Sequence, residues 1–244
     1  ADGRVLFMLP FHGRTLVGTT DAPCDIDAAT TPTDEEEAYL LGYVRQWFPG
    51  LSHPVVSSRW AGGRPLLQPS GGERSSSQVV REHEVETLPC GLVSLMGGKW
   101  TTCRPMAMDC LAAVERLLPS PMQKPKGLPL LGTATNPDQT LPELQGQRAA
   151  LMDLLPDTPE RPRQIAHLQH SFGLRAQSVL AKSTEAEREP LSSVIPICRA
   201  EIRHFIRDEH ATSASDVLSR RCRLAMVDSA EADRLRPLVE EELK

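Results

Sequence analysis

Two patterns of apolar and polar residues follow one another along the chain, and the change falls near residue 119. Apolar runs at 4–9 and 14–18 flank a four-residue connection, PFHG, that ends in Gly13. Strand-like runs so close together, with glycine at the joint, predict a β-hairpin. Three further strand-like segments follow, at 55–60, 78–85 and 91–96.

Helical spacing first appears after Thr33. Thr33 and Glu36 form the capping-box pattern, and apolar positions then recur at helical intervals up to Phe48. Pro49 and Gly50 end this helix. A second helix is predicted over 99–118. Beyond residue 142 the pattern is helical throughout, and it predicts helices at about 143–155, 160–171, 174–182, 196–210, 214–227 and 231–243.

A proline-rich stretch separates the two patterns. Its prolines stand at 119, 121, 125, 129, 137 and 142, and each removes a backbone donor, so no regular element persists there. The predicted architecture is an α+β domain over residues 1–118, a linker over 119–142 and an all-α domain over 143–244. The α+β domain begins without the strand, Gly-rich turn and helix that bind a dinucleotide, so we interpret it as part of a larger domain.

Composition restricts the class of protein. The hydrophobic fraction of 40% and the charged fraction of 24% are typical of a globular chain and argue against disorder throughout. A net charge of -5 argues against a nucleic-acid binder, which would carry a basic excess. No apolar run reaches the roughly 20 residues that span a bilayer. The cysteines form no Cys-x-x-Cys pair, which indicates reduced thiols. The opening residues have neither an initiator methionine nor signal-peptide character, and we interpret them as an internal position of a longer protein.

The strongest local signal for chemistry lies at 95–102, with the sequence LMGGKWTT. Gly97 and Gly98 separate a buried strand from a helix, and glycines let the backbone approach a ligand closely. The first amides of the helix favour an anionic group, and Lys99, Thr101 and Thr102 add a charge and two hydroxyls. The pattern predicts an anion- or cofactor-binding turn, with an ordinary glycine turn as the equal alternative.

Two arginines are further candidates. Arg64 follows a strand-like segment and precedes a proline, and its planar guanidinium suits a fixed contact with phosphate or carboxylate. A salt bridge at a strand end is the alternative. Arg81 lies in an alternating strand pattern, where a solvated cross-strand charge is the simpler interpretation. Residues 18–21 (GTTD) are typical of a turn stabilised by its own side chains.

Four ordered motifs resemble the FAD-dependent glycerol-3-phosphate dehydrogenases. They are 2–5 (DGRV) with Leu9 and Pro10, 18–21 with Pro23, Gly62 with 64–66 (RPL), and 97–102 with Arg104. The stretch at 216–225 (DVLSRRCRLA) is similar to the core of that family's C-terminal helical domain. The resemblance covers about residues 1–115 and 170–230. The chain departs from the family pattern at three positions, which hold Phe11 where tryptophan is usual, Gly63 where a bulky apolar residue is usual, and Cys103 where tyrosine is usual.

The resemblance implies a fold and a reaction. The fold is α+β, a partial FAD-dependent oxidoreductase domain with mixed or antiparallel strands that form its substrate and flavin side, followed by an all-α C-terminal domain. The reaction is the oxidation of glycerol 3-phosphate to dihydroxyacetone phosphate by hydride transfer to FAD, with electrons passed to a quinone. An N-terminal FAD-binding segment would be a partner of the chain. The implied location is peripheral, on the mitochondrial inner membrane or the bacterial plasma membrane.

The same resemblance implies roles for the candidate residues. Arg64 would be the catalytic residue and would hold the oxygens of the substrate, and Arg81 and Lys99 would neutralise its phosphate. His12 and His83 both have suitable chemistry for the general base, and neither is singled out. The residues that would face the cofactor are Gly97, Gly98, Lys99, Thr101 and Thr102.

Two alternative functions stay open at this point. A glycerophosphate oxidase carries the same motifs and passes electrons to oxygen. A non-catalytic fragment could use the same surface for protein interaction, because the dinucleotide-binding unit is missing from the 244 residues.

Two further basic groups carry structural interpretations. His167 and His170 lie three residues apart on a predicted helix, and without a completing carboxylate or cysteine we interpret them as a surface pair, with no metal site. The run at 220–223 (RRCR) is predicted to pair with carboxylates of the missing flavin domain or with Asp216 and Glu209.

Overall fold

A computed structural model describes residues 5–51, 53–64, 82–123 and 127–244. In chain order its strands are β1 Phe7–Phe11, β2 Arg14–Gly18, β3 His83–Thr87 and β4 Val93–Gly97. Its α-helices are α1 Asp34–Trp47, α2 Cys103–Glu115, α3 Thr140–Leu154, α4 Arg161–Phe172, α5 Ala176–Leu180, α6 Arg199–Arg207, α7 Leu224–Val227 and α8 Ser229–Glu242. Short 3-10 helices span Ile26–Ala28, Trp100–Thr102, Pro137–Gln139, Gly173–Arg175 and Ala186–Arg188, and a π-helix spans Asp216–Arg221.

The chain forms two compact units, each built from separate stretches of sequence. The larger unit comprises residues 1–19, 33–60 and 128–244, and the smaller unit comprises residues 20–32 and 61–127. The larger unit holds the β1–β2 hairpin, α1 and the helices from α3 onward, and the smaller unit holds the β3–β4 hairpin and α2. The predicted fold class is confirmed: antiparallel strands and helices come first, and an all-helical part follows.

The hairpin predicted at the start of the chain is confirmed. Strands β1 and β2 pair antiparallel, so that Phe7 lies opposite Gly18 and Phe11 opposite Arg14. His12 and Gly13 form the two-residue turn, with φ angles of 46° and 78°. A hairpin turn of this kind needs positive φ at both positions, because its twist then matches that of the strands. Glycine adopts this backbone freely, whereas a histidine there costs on the order of 1 kcal/mol.

Helix α1 begins with the predicted capping box. The hydroxyl of Thr33 accepts a hydrogen bond from the Glu36 amide at 3.2 Å, and the Glu36 carboxylate accepts one from the Thr33 amide at 3.1 Å. Two backbone donors at the helix start are satisfied in this way, and such caps contribute about 1 kcal/mol. The helix ends at Trp47, directly before the predicted Pro and Gly stop signal.

The segment at 55–60 is not a strand, and its prediction as one is wrong. It runs along the C-terminal part of the chain, where the Ser57 hydroxyl donates to the Val227 carbonyl at 2.8 Å and the Ser58 hydroxyl donates to the Ala225 carbonyl at 2.6 Å. The amide of Ser229 also donates to the Ser57 carbonyl at 3.0 Å. The Ser57 carbonyl and the hydroxyls of Ser57 and Ser58 thus bond to the region of α7 and α8 instead of to a neighbouring strand.

The other two strand predictions are met by β3 and β4. These strands pair antiparallel, with His83 opposite Gly97 and Thr87 opposite Val93. The first residues of the predicted 78–85 strand, 78–81, lie outside the described residues. The helix predicted over 99–118 begins later and ends earlier, at Cys103–Glu115, because Trp100–Thr102 forms a tighter 3-10 turn before it.

The helices of the larger unit enclose a core of their own. Burying a leucine or isoleucine side chain stabilises a fold by about 1.5–3 kcal/mol, so these positions account for most of the cohesion of the unit. The large apolar side chains with less than 2% exposure are Leu151, Ile165, Leu168, Leu180, Ile195, Ile197, Ile202, Leu218, Leu224, Val217 and Val239.

The single helix predicted over 214–227 is wrong in its middle. The chain forms the π-helix Asp216–Arg221, in which the Cys222 amide donates to the Val217 carbonyl five residues back, at 3.0 Å. Arg223 then takes a left-handed backbone, with φ of 62°, and α7 starts after it. The wider turn and the left-handed residue each interrupt the α-helical hydrogen bonds. The spacing of apolar residues predicts neither of these interruptions.

The proline-rich stretch contains both exposed and packed parts. Leu128, Leu130 and Leu131 are each at least 79% exposed. From Gly132 onward the chain packs on the larger unit: the Gly132 carbonyl accepts from the Leu174 amide at 2.9 Å, and Ala134 is buried. Helix α3 begins at Thr140, three residues before the predicted start, so the last part of the stretch is helical.

Limited trypsin digestion tests whether 119–142 links two separately folded parts. We expect the first cut after Lys126, since this position lies next to exposed leucines and the Lys124–Pro125 bond resists trypsin. The variant Gly127→Pro is the control, because it blocks that bond while the Cβ direction at Gly127 is open. Early cuts inside 1–118 or 143–244 instead would contradict the two-part architecture.

Candidate functional site

The glycine turn (residues 97–102) connects β4 to α2 in the smaller unit. Gly97 and Gly98 have φ angles of 70° and 89°, values that side chains with a Cβ rarely adopt. A Cβ at Gly98 would also lie 2.6 Å from the Met106 sulfur and 3.2 Å from the His83 Cβ. Glycine at position 98 is therefore demanded by the packing of α2 as well as by the backbone.

The polar groups of the glycine turn divide into engaged and exposed ones. The Thr102 hydroxyl donates to the Lys99 carbonyl at 3.0 Å, so its proton is used inside the turn. Lys99 and Thr101 are exposed. Within the part of the chain that the structure describes, no side chain caps the 3-10 helix or the start of α2. The Thr102 amide donates to the Lys99 carbonyl, so the capacity to bind a polar or anionic group rests with the amides before it.

His83 holds the glycine turn against α2. It stands opposite Gly97 in the β3–β4 ladder, and its Nε2 lies 2.8 Å from the Asp109 carboxylate on α2. A hydrogen bond from strand to helix at this point ties together the two elements that flank the turn. His83 is thereby oriented by a carboxylate, an arrangement that also orients catalytic histidines.

The elements around the glycine turn expose large apolar side chains. Trp100 is 90% exposed, and four further residues on β4, α2 and the loop before β4 are at least 38% exposed, namely Leu92, Leu95, Met108 and Leu111. Exposed apolar side chains in such number are typical of a surface that contacts another apolar group.

Arg64 has an acidic partner within the smaller unit. Its guanidinium lies 3.5 Å from the Asp21 carboxylate, and its side chain is half exposed. An ion pair this long and this exposed contributes at most about 1 kcal/mol to stability, so the guanidinium remains available for other contacts. Gly63 beside it packs closely, since a Cβ there would lie 2.9 Å from the Ala29 Cβ. Arg81, which was predicted with Lys99 to bind the phosphate of the substrate, lies outside the described residues.

His167 and His170 do not form the predicted surface pair. The His167 side chain is 7% exposed, and its Nε2 lies 2.7 Å from the carboxylate of the fully buried Glu201. Burial by itself lowers the pKa of His167, but the charge of Glu201 and its hydrogen bond outweigh burial and raise that pKa above its ordinary value. The prediction failed because helical spacing does not reveal a partner 34 residues away.

Two arginines of the 220–223 run, Arg220 and Arg221, pair as predicted with nearby carboxylates. Arg220 lies 3.2 Å from Asp216, and Arg221 lies 3.5 Å from Glu209. All six cysteines are free thiols, and burial raises the pKa of Cys222 to about 12. Within the described ranges no three His, Cys, Asp or Glu side chains come together to form a possible metal site.

A cavity in the larger unit was missed by sequence reasoning. It has a volume of about 280 Å³, and His12, His170 and Arg223 line it together with Arg220 and Arg221. His12 is separated from the other lining residues by more than 150 positions, and no sequence motif connects them. His12 and Arg223 share a positive φ angle, which the structure shows and the sequence does not.

Two family models match consecutive parts of the chain. The model for FAD dependent oxidoreductase matches residues 1–109, and the model for the C-terminal domain of alpha-glycerophosphate oxidase matches residues 125–244. Together with the glycine turn and the helical C-terminal part, these matches define a flavin-dependent oxidoreductase class.

Individual relatives make the class more specific. The mitochondrial glycerol-3-phosphate dehydrogenase SDP6 of Arabidopsis thaliana is 33% identical over 250 residues, which cover 96% of this chain and 38% of the relative. The mitochondrial glycerol-3-phosphate dehydrogenase of Rattus norvegicus is 31% identical over 258 residues, which cover 99% of this chain and 33% of the relative. The chain belongs to the FAD-dependent glycerol-3-phosphate dehydrogenase family.

A solved structure shares the fold. The glycerol-3-phosphate dehydrogenase of Bacillus halodurans, determined in complex with FAD, superposes with a TM-score of 0.71 at 23% identity. The match covers all of this chain and 51% of that one. The chain thus spans about half of the solved structure and about a third of the curated relatives.

Proposed function

We propose that the chain forms the substrate side and one wall of the flavin pocket of a glycerol-3-phosphate dehydrogenase. The observation that carries this proposal is the glycine turn, which presents uncapped helix amides, the exposed Lys99 and the exposed Thr101 beside apolar side chains. In a member of this family, such a combination suits a flat ring with one polar edge. Gly97, Gly98, Lys99, Thr101 and Thr102 would form this wall.

The chemical features of the glycine turn are compatible with binding FAD. Amides at a helix start stabilise negative charge, and the exposed Gly97 presents backbone without a side chain. FAD, when bound, supplies the two-electron acceptor for the substrate. Lys99 and Arg81 would bind the phosphate of glycerol 3-phosphate, and Arg64 would orient its C2 oxygen. The general base stays unassigned between His12 and His83, which belong to different units.

The rest of the cofactor needs a second polypeptide stretch. A dinucleotide is held mainly by its pyrophosphate on a Gly-x-Gly-x-x-Gly turn, and the 244 residues contain no such turn. We infer that an FAD-binding segment of this type is the partner of the chain. The exposed apolar side chains around the glycine turn would then be covered by the flavin and by this segment.

Quinone is the proposed electron acceptor, and the proposed location is the surface of an energy-transducing membrane, peripheral on the mitochondrial inner membrane or the bacterial plasma membrane. The described residues include no helix with the length and hydropathy that a bilayer crossing demands. Peroxide production by the flavin-loaded enzyme separates the dehydrogenase from an oxidase, the name borne by the model for residues 125–244. Stoichiometric peroxide during turnover would assign oxygen as the acceptor.

Dye reduction with glycerol 3-phosphate tests the proposed function. A flavin-loaded enzyme that contains this chain should reduce the dye with glycerol 3-phosphate and not with glycerol, and Lys99→Ala should raise KM for the phosphorylated substrate at least about tenfold. Lys182→Ala, at an exposed position of the larger unit, is the matched control and should leave KM unchanged. An equal rise of KM in both variants would show that Lys99 does not bind the substrate.

The 244-residue chain by itself should neither reduce the dye nor retain FAD. Its glycine turn offers too few contacts to offset the cost of immobilising a dinucleotide. Equilibrium dialysis against FAD measures this directly, with lumiflavin as a comparison that lacks the pyrophosphate. Micromolar or tighter binding of FAD would show that the chain itself carries the cofactor site that we assign to the FAD-binding partner segment.

A further inference from the structure

The cavity in the larger unit collects basic side chains from three parts of the chain. It measures about 280 Å³, close to the lower end for small-ligand sites. The basic and acidic side chains that line it, apart from the Cys222 thiol, are His12, His170, Glu209, Arg220, Arg221 and Arg223. Five of these six are basic, and they come from the β1–β2 turn, from α4 and from the region of the π-helix.

The arginines that line the cavity stand on an irregular stretch of backbone. The π-helix Asp216–Arg221 carries an extra residue in its turn, and Arg223 follows it in the left-handed conformation, with φ of 62°. A regular α-helix would distribute consecutive residues around its axis, 100° apart. Both irregularities cost conformational energy, and π-helices and left-handed non-glycine residues occur preferentially at functional sites.

His12 approaches the cavity from the opposite end of the sequence. It occupies the turn position with positive φ, and its ring lies 6.2 Å from the ring of His170, edge to face. Burial lowers the pKa of His12, and the neighbouring His170, His167 and Arg223 lower it further. The side chains that lower the pKa of His12 are thus all basic, so the cavity has an excess of positive potential.

The carboxylates near the cavity neutralise only part of this charge. Arg220 pairs with Asp216, and Arg221 pairs with Glu209, the single acidic residue among those lining the cavity. Among the described residues no carboxylate lies within ion-pair distance of Arg223, His12 or His170. A small cavity with an unpaired guanidinium and two adjacent imidazoles is complementary to a compact, multiply charged anion.

We propose that this cavity binds a phosphate group, either inorganic phosphate or the terminal phosphate of a monoester such as a small metabolite or a lipid headgroup. Arg223 donates its guanidinium to two phosphate oxygens, and His12 and His170 donate to the remaining ones. The site belongs to the larger unit and shares no residue with the glycine turn. It is therefore separate from the proposed flavin wall, although it includes His12, one of the two candidates for the general base.

Isothermal titration of the full chain with inorganic phosphate tests this site. At low ionic strength we expect saturable binding with a dissociation constant of millimolar or tighter, and Arg223→Gln should weaken it at least about tenfold. Arg148→Gln is the matched control, since Arg148 is an exposed arginine on α3 of the same unit. It should leave the binding unchanged, and an equal loss in both variants would overturn the proposal as a general charge effect.

A second measurement covers the case that Arg223→Gln does not fold. In the unmodified chain, the imidazole carbon-bound proton signals of His12 and His170 should shift on addition of phosphate and not of chloride at the same ionic strength. Sedimentation with phosphatidylcholine vesicles, with and without phosphatidic acid, then separates the two sources. Binding only to vesicles with phosphatidic acid assigns a lipid headgroup, and phosphate binding without vesicle binding assigns a soluble monoester. Unchanged histidine signals together with no saturable heat would rule the site out.

Discussion

Replacing Glu201 by alanine should lower the free energy of unfolding of the chain by about 3–5 kcal/mol. Glu201 is fully buried, and its carboxylate accepts from the Cys198 amide at 3.0 Å and lies 2.7 Å from His167 Nε2. Removing it leaves a buried imidazole and a helix-start amide without their partner, and such losses are among the largest that a single substitution causes. Urea denaturation monitored by circular dichroism measures the effect.

The control for this prediction is Glu240→Ala. Glu240 lies exposed on α8, so its loss should change the free energy of unfolding by less than about 0.5 kcal/mol. His167→Ala and the double variant complete a cycle, and a coupling energy in the range of about 1–3 kcal/mol is expected for groups in direct contact. Additive effects would mean that the two side chains stabilise the fold separately.

The same pair predicts a dependence of stability on pH. The pKa of His167 in the folded chain lies above its ordinary value of 6.5, which approximates the unfolded value. Protonated His167 therefore contributes stability that is fully present below the unfolded pKa and is lost as pH rises through the folded pKa. Stability should fall above pH 6.5 in the unmodified chain, and this component should vanish in His167→Ala. An identical profile in both proteins would contradict the assignment.

Arg64→Ala should damage turnover far more than folding in a flavin-loaded enzyme that contains this chain. If Arg64 orients the substrate, its loss should cost about 2–4 kcal/mol of transition-state stabilisation, which corresponds to about a thirty- to thousandfold drop in kcat/KM. The half-exposed ion pair with Asp21 contributes little to the fold, so the melting temperature should stay within a few degrees. Steady-state kinetics and thermal melting of the same preparation separate the two effects.

Arg59→Ala is the matched control for Arg64. Arg59 has a similar exposure, 46% against 50%, and it pairs with the carboxylates of Asp34 and Glu37 at 2.5 and 3.1 Å. Arg59→Ala should change stability little, because exposed ion pairs are screened by solvent, and it should leave kcat/KM unaltered. If Arg64→Ala keeps full activity and loses only thermal stability, then Arg64 is a structural ion-pair residue like Arg59.

Local signals in the sequence were reliable where neighbouring residues settle the conformation. The capping box of Thr33 and Glu36, the hairpin turn at His12 and Gly13, and the strand before Gly97 all depend on contacts within a few positions. The resemblance of ordered motifs added the family, which the family models and relatives confirm. The roles assigned to Arg64, Lys99 and the glycine turn stay predictions, since they concern ligands.

The sequence by itself determined the fold class and most of the succession of hairpins and helices, because turn chemistry, capping and apolar period act over short distances. The resemblance of its ordered motifs gave the family. The tertiary structure decided which distant residues meet. It buried His167 against Glu201, bound the 55–60 segment to the C-terminal helices, and brought His12 to Arg223 across more than 200 positions. These outcomes follow from long-range packing and from satisfying buried polar groups, and neither leaves a periodic trace in the chain.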